Sequence, residues 1–199
     1  MMANESETAD DSYILGTSVT WKWVEKKLQN VFQTKAYFGR KKNAIRIGYG
    51  EGYVCVLGRM YLDWVNYSES DKLPETLVIK LPVDQVTEEM QQDTTFRTGS
   101  AGWDLQIFST MMHDFRVKGH ANEVIFYKWL QQKDINIENI PHCYIAQDSN
   151  QDQSQGLLVI EDMGEEAYAS LPFDGLDSED LSQVLLSFSF LTTDNSSHM

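Results

Sequence analysis

An α+β fold, an antiparallel sheet of about five strands with a helix buried against it, is what this sequence predicts, and three observations carry the prediction. Short apolar runs at 53–62, 77–81, 143–146 and 157–160 are each bounded by glycine, proline or polar residues, as strands are. The glycine-rich segment GYGEGYVC, residues 48–55, lies between two strand-like runs, a strand–turn–strand order that suits antiparallel pairing. Two other stretches, near 20–32 and 114–130, carry their apolar residues at helical spacing instead.

Taken in order, residues 1–12 read as a disordered acidic tail carrying Glu5, Glu7, Asp10 and Asp11. Thr20 is placed to cap a helix running to Phe32, with Val24, Leu28, Val31 and Phe32 as its stripe and Trp21 and Trp23 docking it. From Ala36 to Ile47 the pattern is strand-like, broken by Arg40, Lys41 and Lys42. Gly48, Gly50 and Gly52 then allow positive φ and close approach of a ligand to the backbone. A strand from Tyr53 to Leu62 and a polar turn from Asp63 to Pro74 lead to a third strand, Leu77 to Leu81, stopped by Pro82.

Residues 83–113 read as an insert with one or two short helices, and a long helix is predicted from Asp114 to Leu130. Glu123, Tyr127 and Leu130 share one of its faces, while Val124, Ile125, Phe126 and Trp129 make it apolar on most sides, so it should be buried. Cys143 to Ala146 and Leu157 to Ile160 form a hairpin with a long polar tip. Ser178 can cap a last helix with Leu181, Val184, Leu185 and Phe188 on one face.

Composition narrows the function classes. A formal charge of −14 argues against a nucleic-acid binder and against charge-driven attachment to anionic lipid, while leaving room for a nucleotide, which needs only a local positive site. Cys55 and Cys143 stand alone, without neighbours at metal-ligand spacing, so neither a disulfide framework nor a zinc site is expected. No apolar run is long enough to span a bilayer, and the N-terminus lacks the basic start and apolar core of a signal peptide, which together point to the cytoplasm.

Each chemical feature is weak alone. A glycine-rich hairpin is usually just a tight turn, a lysine in an apolar strand usually snorkels, and Glu123 on a helix is usually solvated. Their order is what matters. Strand, glycine turn, strand, strand with Lys80, helix with Glu123, then two strands and a polar exit is the order of the smaller lobe of a protein-kinase-like fold, in which the lysine meets nucleotide phosphates and the glutamate holds its ammonium. The pairing also accounts for a carboxylate on a face with Tyr127 and Leu130, where an isolated charge would be costly.

GYGEGYVC, LVIKLP, HANEVIFYKWL and LLVIEDMG together resemble the choline-kinase-like (CHK) group, which includes ecdysteroid-kinase-like proteins, and within it the nematode proteins grouped under domain of unknown function 1679. TWKWVEKKLQ and TKAYFG resemble that group too, so the likeness spans roughly residues 20–185. It implies that Gly48, Gly50 and Gly52 cover phosphates, that Lys80 contacts them, that Glu123 pairs with Lys80, and that Glu161 to Met163 form the hinge whose backbone receives adenine. Many relatives carry serine where this chain has Cys55, a weaker donor to phosphate.

Asp162-Met163-Gly164 superficially resembles the metal-binding Asp-Phe-Gly of protein kinases, but no catalytic loop with an aspartate and an asparagine lies shortly upstream. Its position directly after LLVIE favours the hinge. His113-Asp114 fails as a catalytic loop because it precedes the glutamate helix.

The resemblance divides the chain into a kinase-like N-terminal lobe at 13–164, with the insert near 83–113, and a segment at 165–199 holding a linker and the first helix of an incomplete C-terminal lobe. The text after about Leu185 stops resembling the group. No catalytic residue and no metal ligand is expected, since the family supplies them from the second lobe. The expected function is therefore a truncated CHK-kinase-like protein that binds ATP weakly and catalyses little or nothing, with magnesium only if a second lobe is supplied. The alternative is a non-catalytic interaction module that binds a protein partner through the surface a second lobe would cover, where Leu185, Phe188 and Phe190 would be exposed.

Overall fold

The computed structural model describes residues 13–48, 55–82, 105–135, 137, 140–149 and 156–164. The acidic tail, the insert up to 104, most of the glycine turn, the tip of the last hairpin and the helix expected after Ser178, with Leu185, Phe188 and Phe190, lie outside these residues.

Helix α1 spans Trp21–Phe32. Thr20 sits in extended backbone and its hydroxyl accepts the Trp23 N–H at 3.3 Å, satisfying one of the unpaired donors of the first turn. Trp21, Val24 and Leu28 form the buried stripe. Val31 does not join it and is 43% exposed; half-buried Phe32 turns inward instead, its ring centroid 6.4 Å from that of Trp64 and 5.2 Å from that of Tyr144. Gln33, in the left-handed region, ends the helix.

The stretch after α1 contains a small two-stranded ribbon. Strand β1 (Tyr37–Phe38) pairs antiparallel with β4 (Trp64–Val65), and β2 (Asn43–Ile47) and β3 (Val56–Tyr61) lie between them in sequence. Residues 63–74 are thus more than the expected polar turn. They hold β4 and a 3-10 turn at Glu69–Asp71, and the Trp64 indole N–H donates to the Pro74 carbonyl at 2.9 Å.

The main sheet adds β5 (Thr76–Leu81), β6 (Cys143–Gln147) and β7 (Leu157–Glu161), in the order β2-β3-β5-β7-β6, every pairing antiparallel. Side chains alternate between its faces. Val56, Met60, Leu77, Ile79, Leu81, Leu157 and Val159 pack with Ile14, Val24 and Leu28 under α1 in the larger core. Each of these side chains is at most 1% exposed, and burying one contributes about 1.5–3 kcal/mol. The opposite face carries Leu57, Arg59, Val78, Lys80, Leu158 and Ile160 in register.

Helix α2 covers part of that opposite face, running Leu105–Lys133. It therefore begins well before the expected Asp114, and the end of the expected insert is helical. Nor is the helix buried on most sides. Val124 packs against Cys143 and Leu158, with Tyr127 and Ile160 beside them, and Leu130, Arg116 and His120 are also buried. Phe115, Ile125 and Met111 are 63%, 65% and 53% exposed. One sheet can cover only one side of a helix, and the apolar residues on the other side meet no sheet among the described residues.

The result is an α+β structure with two α-helices and a five-stranded antiparallel sheet among the described residues, an arrangement compatible with the smaller lobe of a kinase-like fold.

Candidate functional site

Lys80 lies on the central strand β5, opposite Leu57 of β3 and Leu158 of β7. Its position two residues after Val78 points it to the α2 side of the sheet. There its ammonium donates to Glu123 Oε1 at 2.5 Å. The side chains keep 25% and 39% of their surface exposed, so the pair is accessible to solvent while its stems are packed. Strand periodicity places one charge and helix periodicity the other, as the sequence predicts.

Cys55, just before β3, is a half-buried free thiol. Burial pushes it up; the charges of Lys80 and Arg46 draw it down and that of Glu123 pushes it up, so all three stand within electrostatic reach. Arg46, on β2, is in register with Gly58 and through it with Ile79, on the α1 side of the sheet, so its charge reaches Cys55 from the face opposite Lys80. Gly48 follows β2 with φ 65°, left-handed backbone that suits glycine at the start of the turn. Gly50 and Gly52 lie outside the described residues.

The hinge residues sit elsewhere. Glu161 faces Leu77, three residues along β7 from Leu158, which corresponds to about 10 Å of strand. Glu161 is exposed and engaged in the strand edge: its carboxylate accepts the His142 N–H at 3.1 Å and its own N–H donates to the His142 carbonyl at 2.8 Å. Met163 is 49% exposed. The structure thus brings Cys55, Lys80 and Glu123 together and leaves Glu161 and Met163 at the far end of β7.

Asp162 is occupied. Arg59 Nε lies 2.7 Å from its Oδ2, and Arg59 Nη2 donates to its Oδ1 at 3.0 Å and to the Gly164 carbonyl at 3.0 Å. Gly164, with φ 87°, returns its N–H to Asp162 Oδ1 at 3.1 Å. Burial pushes the Asp162 carboxyl up, but the hydrogen bonds from Arg59, Gly164 and Thr76, with the Arg59 charge, outweigh it and hold the group below its ordinary value. The arginine that interrupts the apolar run VLGRMY signals a cation in need of a partner, without naming Asp162.

A second polar cluster fixes α2 to the last hairpin. Buried His120 has Nε2 2.8 Å from the Gln147 carbonyl, and Arg116, also buried, has Nη2 2.7 Å from His113 Nδ1. Burial draws the Arg116 guanidinium down. His113 and Asp114 serve the helix itself, Asp114 pairing with Lys118 at 3.6 Å one turn on. Among the described residues no group of three or more His, Cys, Asp or Glu is placed to hold a metal, and no helix is long and apolar enough to cross a membrane.

An α+β lobe with a strand lysine held by a helix glutamate defines the structural class. The chain belongs to the DUF1679 family, described as "Uncharacterized oxidoreductase dhs-27", which it matches over residues 7–197. That match runs beyond Leu185, where the resemblance was expected to end, and starts upstream of residue 20. No curated protein and no solved structure matches the chain.

Proposed function

We propose that this chain binds nucleotide phosphates at Lys80, as the ATP-binding lobe of a CHK-kinase-like protein related to small-molecule phosphotransferases, and that on its own it catalyses little or nothing. The observation that carries the reading is the 2.5 Å Lys80–Glu123 pair spanning β5 and α2. An ammonium has three donors, and one bond to a carboxylate fixes its direction while leaving two for phosphate oxygens. The turn opened by Gly48 would supply backbone N–H groups, with Cys55 beside it. Glu161 and Met163 belong to this reading as the segment whose backbone would meet the base. Magnesium enters only with carboxylates from outside these residues.

The family's description names an oxidoreductase. A dinucleotide pyrophosphate is usually held where a glycine turn leads from a parallel strand into a helix N-terminus. The turn after Gly48 instead joins β2 and β3, which are antiparallel neighbours, and this favours the phosphotransferase-related reading. The two free cysteines are in keeping with a reducing compartment such as the cytoplasm.

Calorimetric titration with Mg-ATP, beside NAD and NADP, tests the proposal. Wild type should bind Mg-ATP and Lys80→Ala should bind it at least about tenfold more weakly, the loss of one charge-assisted contact. Equal binding by both proteins, or binding of a pyridine dinucleotide in preference to ATP, overturns it. A non-catalytic interaction module is the second reading, favoured by the exposed Phe115 and Ile125 on α2.

A further inference from the structure

The face of α2 turned away from the sheet is patterned. Met111, Phe115, Lys118, Asn122, Ile125 and Trp129 follow one another at spacings of four, three, four, three and four, the a/d seam of a coiled coil. Met111, Phe115 and Ile125 are more than half exposed, Lys118 and Asn122 are exposed, and Trp129 is half-buried. The residues meeting the sheet, Arg116, His120, Glu123, Val124 and Tyr127, lie on the opposite side. An apolar seam on a helix already packed through its other face calls for a second partner.

We propose that this seam is a self-association surface on which α2 of a second copy packs antiparallel, about a two-fold axis passing beside position 120. Antiparallel coils layer a against d. Met111 and Trp129, Phe115 and Ile125, and Lys118 and Asn122 are each equidistant from residue 120, so the same seam turned end for end meets itself: thioether on indole, phenyl on aliphatic, ammonium on amide oxygen. The isologous interface needs no other surface.

Two further observations select a second copy over other occupants. The flanking positions beside the seam would set Asp114 of one copy, whose exposed pairing with Lys118 of its own helix is long at 3.6 Å, against Lys128 of the other at both ends of the contact, so the charges are self-complementary. At its centre the flanks are Gly119 and Ala121. A mid-helix glycine costs about 1 kcal/mol relative to alanine, and a Cβ at Gly119 would meet nothing within 4 Å among the described residues. Nothing in the packing of the described residues asks for that glycine, whereas a close approach of a second helix does. The contact is short and the chain carries −14, so the dimer is a weak, concentration-dependent one.

Sedimentation velocity on the full chain at 0.15 M salt, from micromolar to several hundred micromolar, reads the monomer–dimer equilibrium. Phe115→Glu and Ile125→Glu should each weaken dimerisation at least about tenfold, as loss of a central apolar anchor does. Asp114→Lys should weaken it by placing two lysines together, and the double variant Asp114→Lys/Lys128→Asp should restore it. Ala121→Cys, which faces its own copy across the axis, should give a disulfide-linked dimer on mild oxidation. Circular dichroism melts of every variant separate interface loss from unfolding. A chain that stays monomeric throughout overturns the proposal, including one in which Phe115 is protected from solvent, which would assign the face to another segment of the same chain. So does a dimer indifferent to both glutamates, or a double charge reversal no stronger than the single one.

Discussion

Arg59 on β3 and Asp162 just beyond β7 meet side-on, Nε and Nη2 of the guanidinium against the two carboxylate oxygens, although 103 positions separate them in the chain. Their side chains are 15% and 6% exposed, so the pair is largely out of water. The same guanidinium holds the Gly164 carbonyl, and the whole exit from β7 is thereby tied to the sheet. Removing one partner strands the other. Arg59→Met should cost about 3 kcal/mol in urea denaturation, and Arg59→Met/Asp162→Asn should recover part of it, because no unpaired charge is then left buried.

The same pair sets an acid limb. The folded Asp162 carboxyl lies below its ordinary value of 3.8, so the unfolded chain takes up the proton first as pH falls. The stability it contributes is present above about pH 4 and is lost as pH drops through the depressed folded value. Melting temperatures of wild type and Arg59→Met should therefore converge below pH 4, and a gap that stays constant to pH 2 would assign the cost of the variant to packing alone.

At the alkaline end two groups between α2 and the sheet contribute. Burial pushes the Cys143 thiol up to about 12 and the Tyr127 hydroxyl up to about 12, the latter helped by Cys143 and Glu123. Both stay neutral in the fold after the unfolded chain has begun to ionise, so their contribution is present below about pH 9 and is lost as pH rises toward 12. Tyr127→Phe should flatten the decline in melting temperature between pH 9 and 11. A thiol reagent at pH 8 should label Cys55 first and reach Cys143 only on unfolding; equal labelling rates in the folded protein would contradict that burial.

Which parts of this were legible in the sequence follows from how far apart the interacting groups lie. Thr20, Val24 and Leu28 announce α1 within one short window, and Lys80 and Glu123, each weak alone, become legible through the order of the elements that carry them. The Arg59 partner is invisible because it depends on register across two strands, Arg59 to Val78 and Val78 to Ile160, which no local pattern specifies. Strand β4 is two residues long, too short for alternation to show. For α2 the helical spacing is legible but its start and its burial are not: apolar residues on most sides predict a buried helix, whereas α2 begins at Leu105 and its Ile125 and Phe115 face away from the sheet.

His120 and Gly156 form a second close relationship. A Cβ on Gly156 would fall 2.5 Å from His120 Nε2 and 2.9 Å from the Ser149 backbone nitrogen. The ring is held to the Gln147 carbonyl, and the backbone atom cannot turn aside. Gly156→Ala should therefore cost about 1–3 kcal/mol by overpacking. In a His120→Ala background the ring is gone and the cost should shrink, a coupling read by a double-mutant cycle in denaturant. Additive costs would show that the strain lies against Ser149 and not the imidazole.

Glu123 and Lys80 should separate stability from binding. With 25% and 39% of the two side chains exposed, the ion pair is worth no more than about 1 kcal/mol to the fold, and Glu123→Gln should melt within a few degrees of wild type. Its effect falls instead on where the ammonium points. Without the carboxylate, Lys80 regains its rotamer freedom, and that freedom must be given up again when phosphate binds. Mg-ATP affinity should drop several-fold in Glu123→Gln, less than in Lys80→Ala, which removes the charge itself. A glutamine variant that melts like wild type and binds like wild type would leave Glu123 as a packing residue of α2; one that unfolds early would show that the pair holds the helix to the sheet rather than the lysine to its ligand.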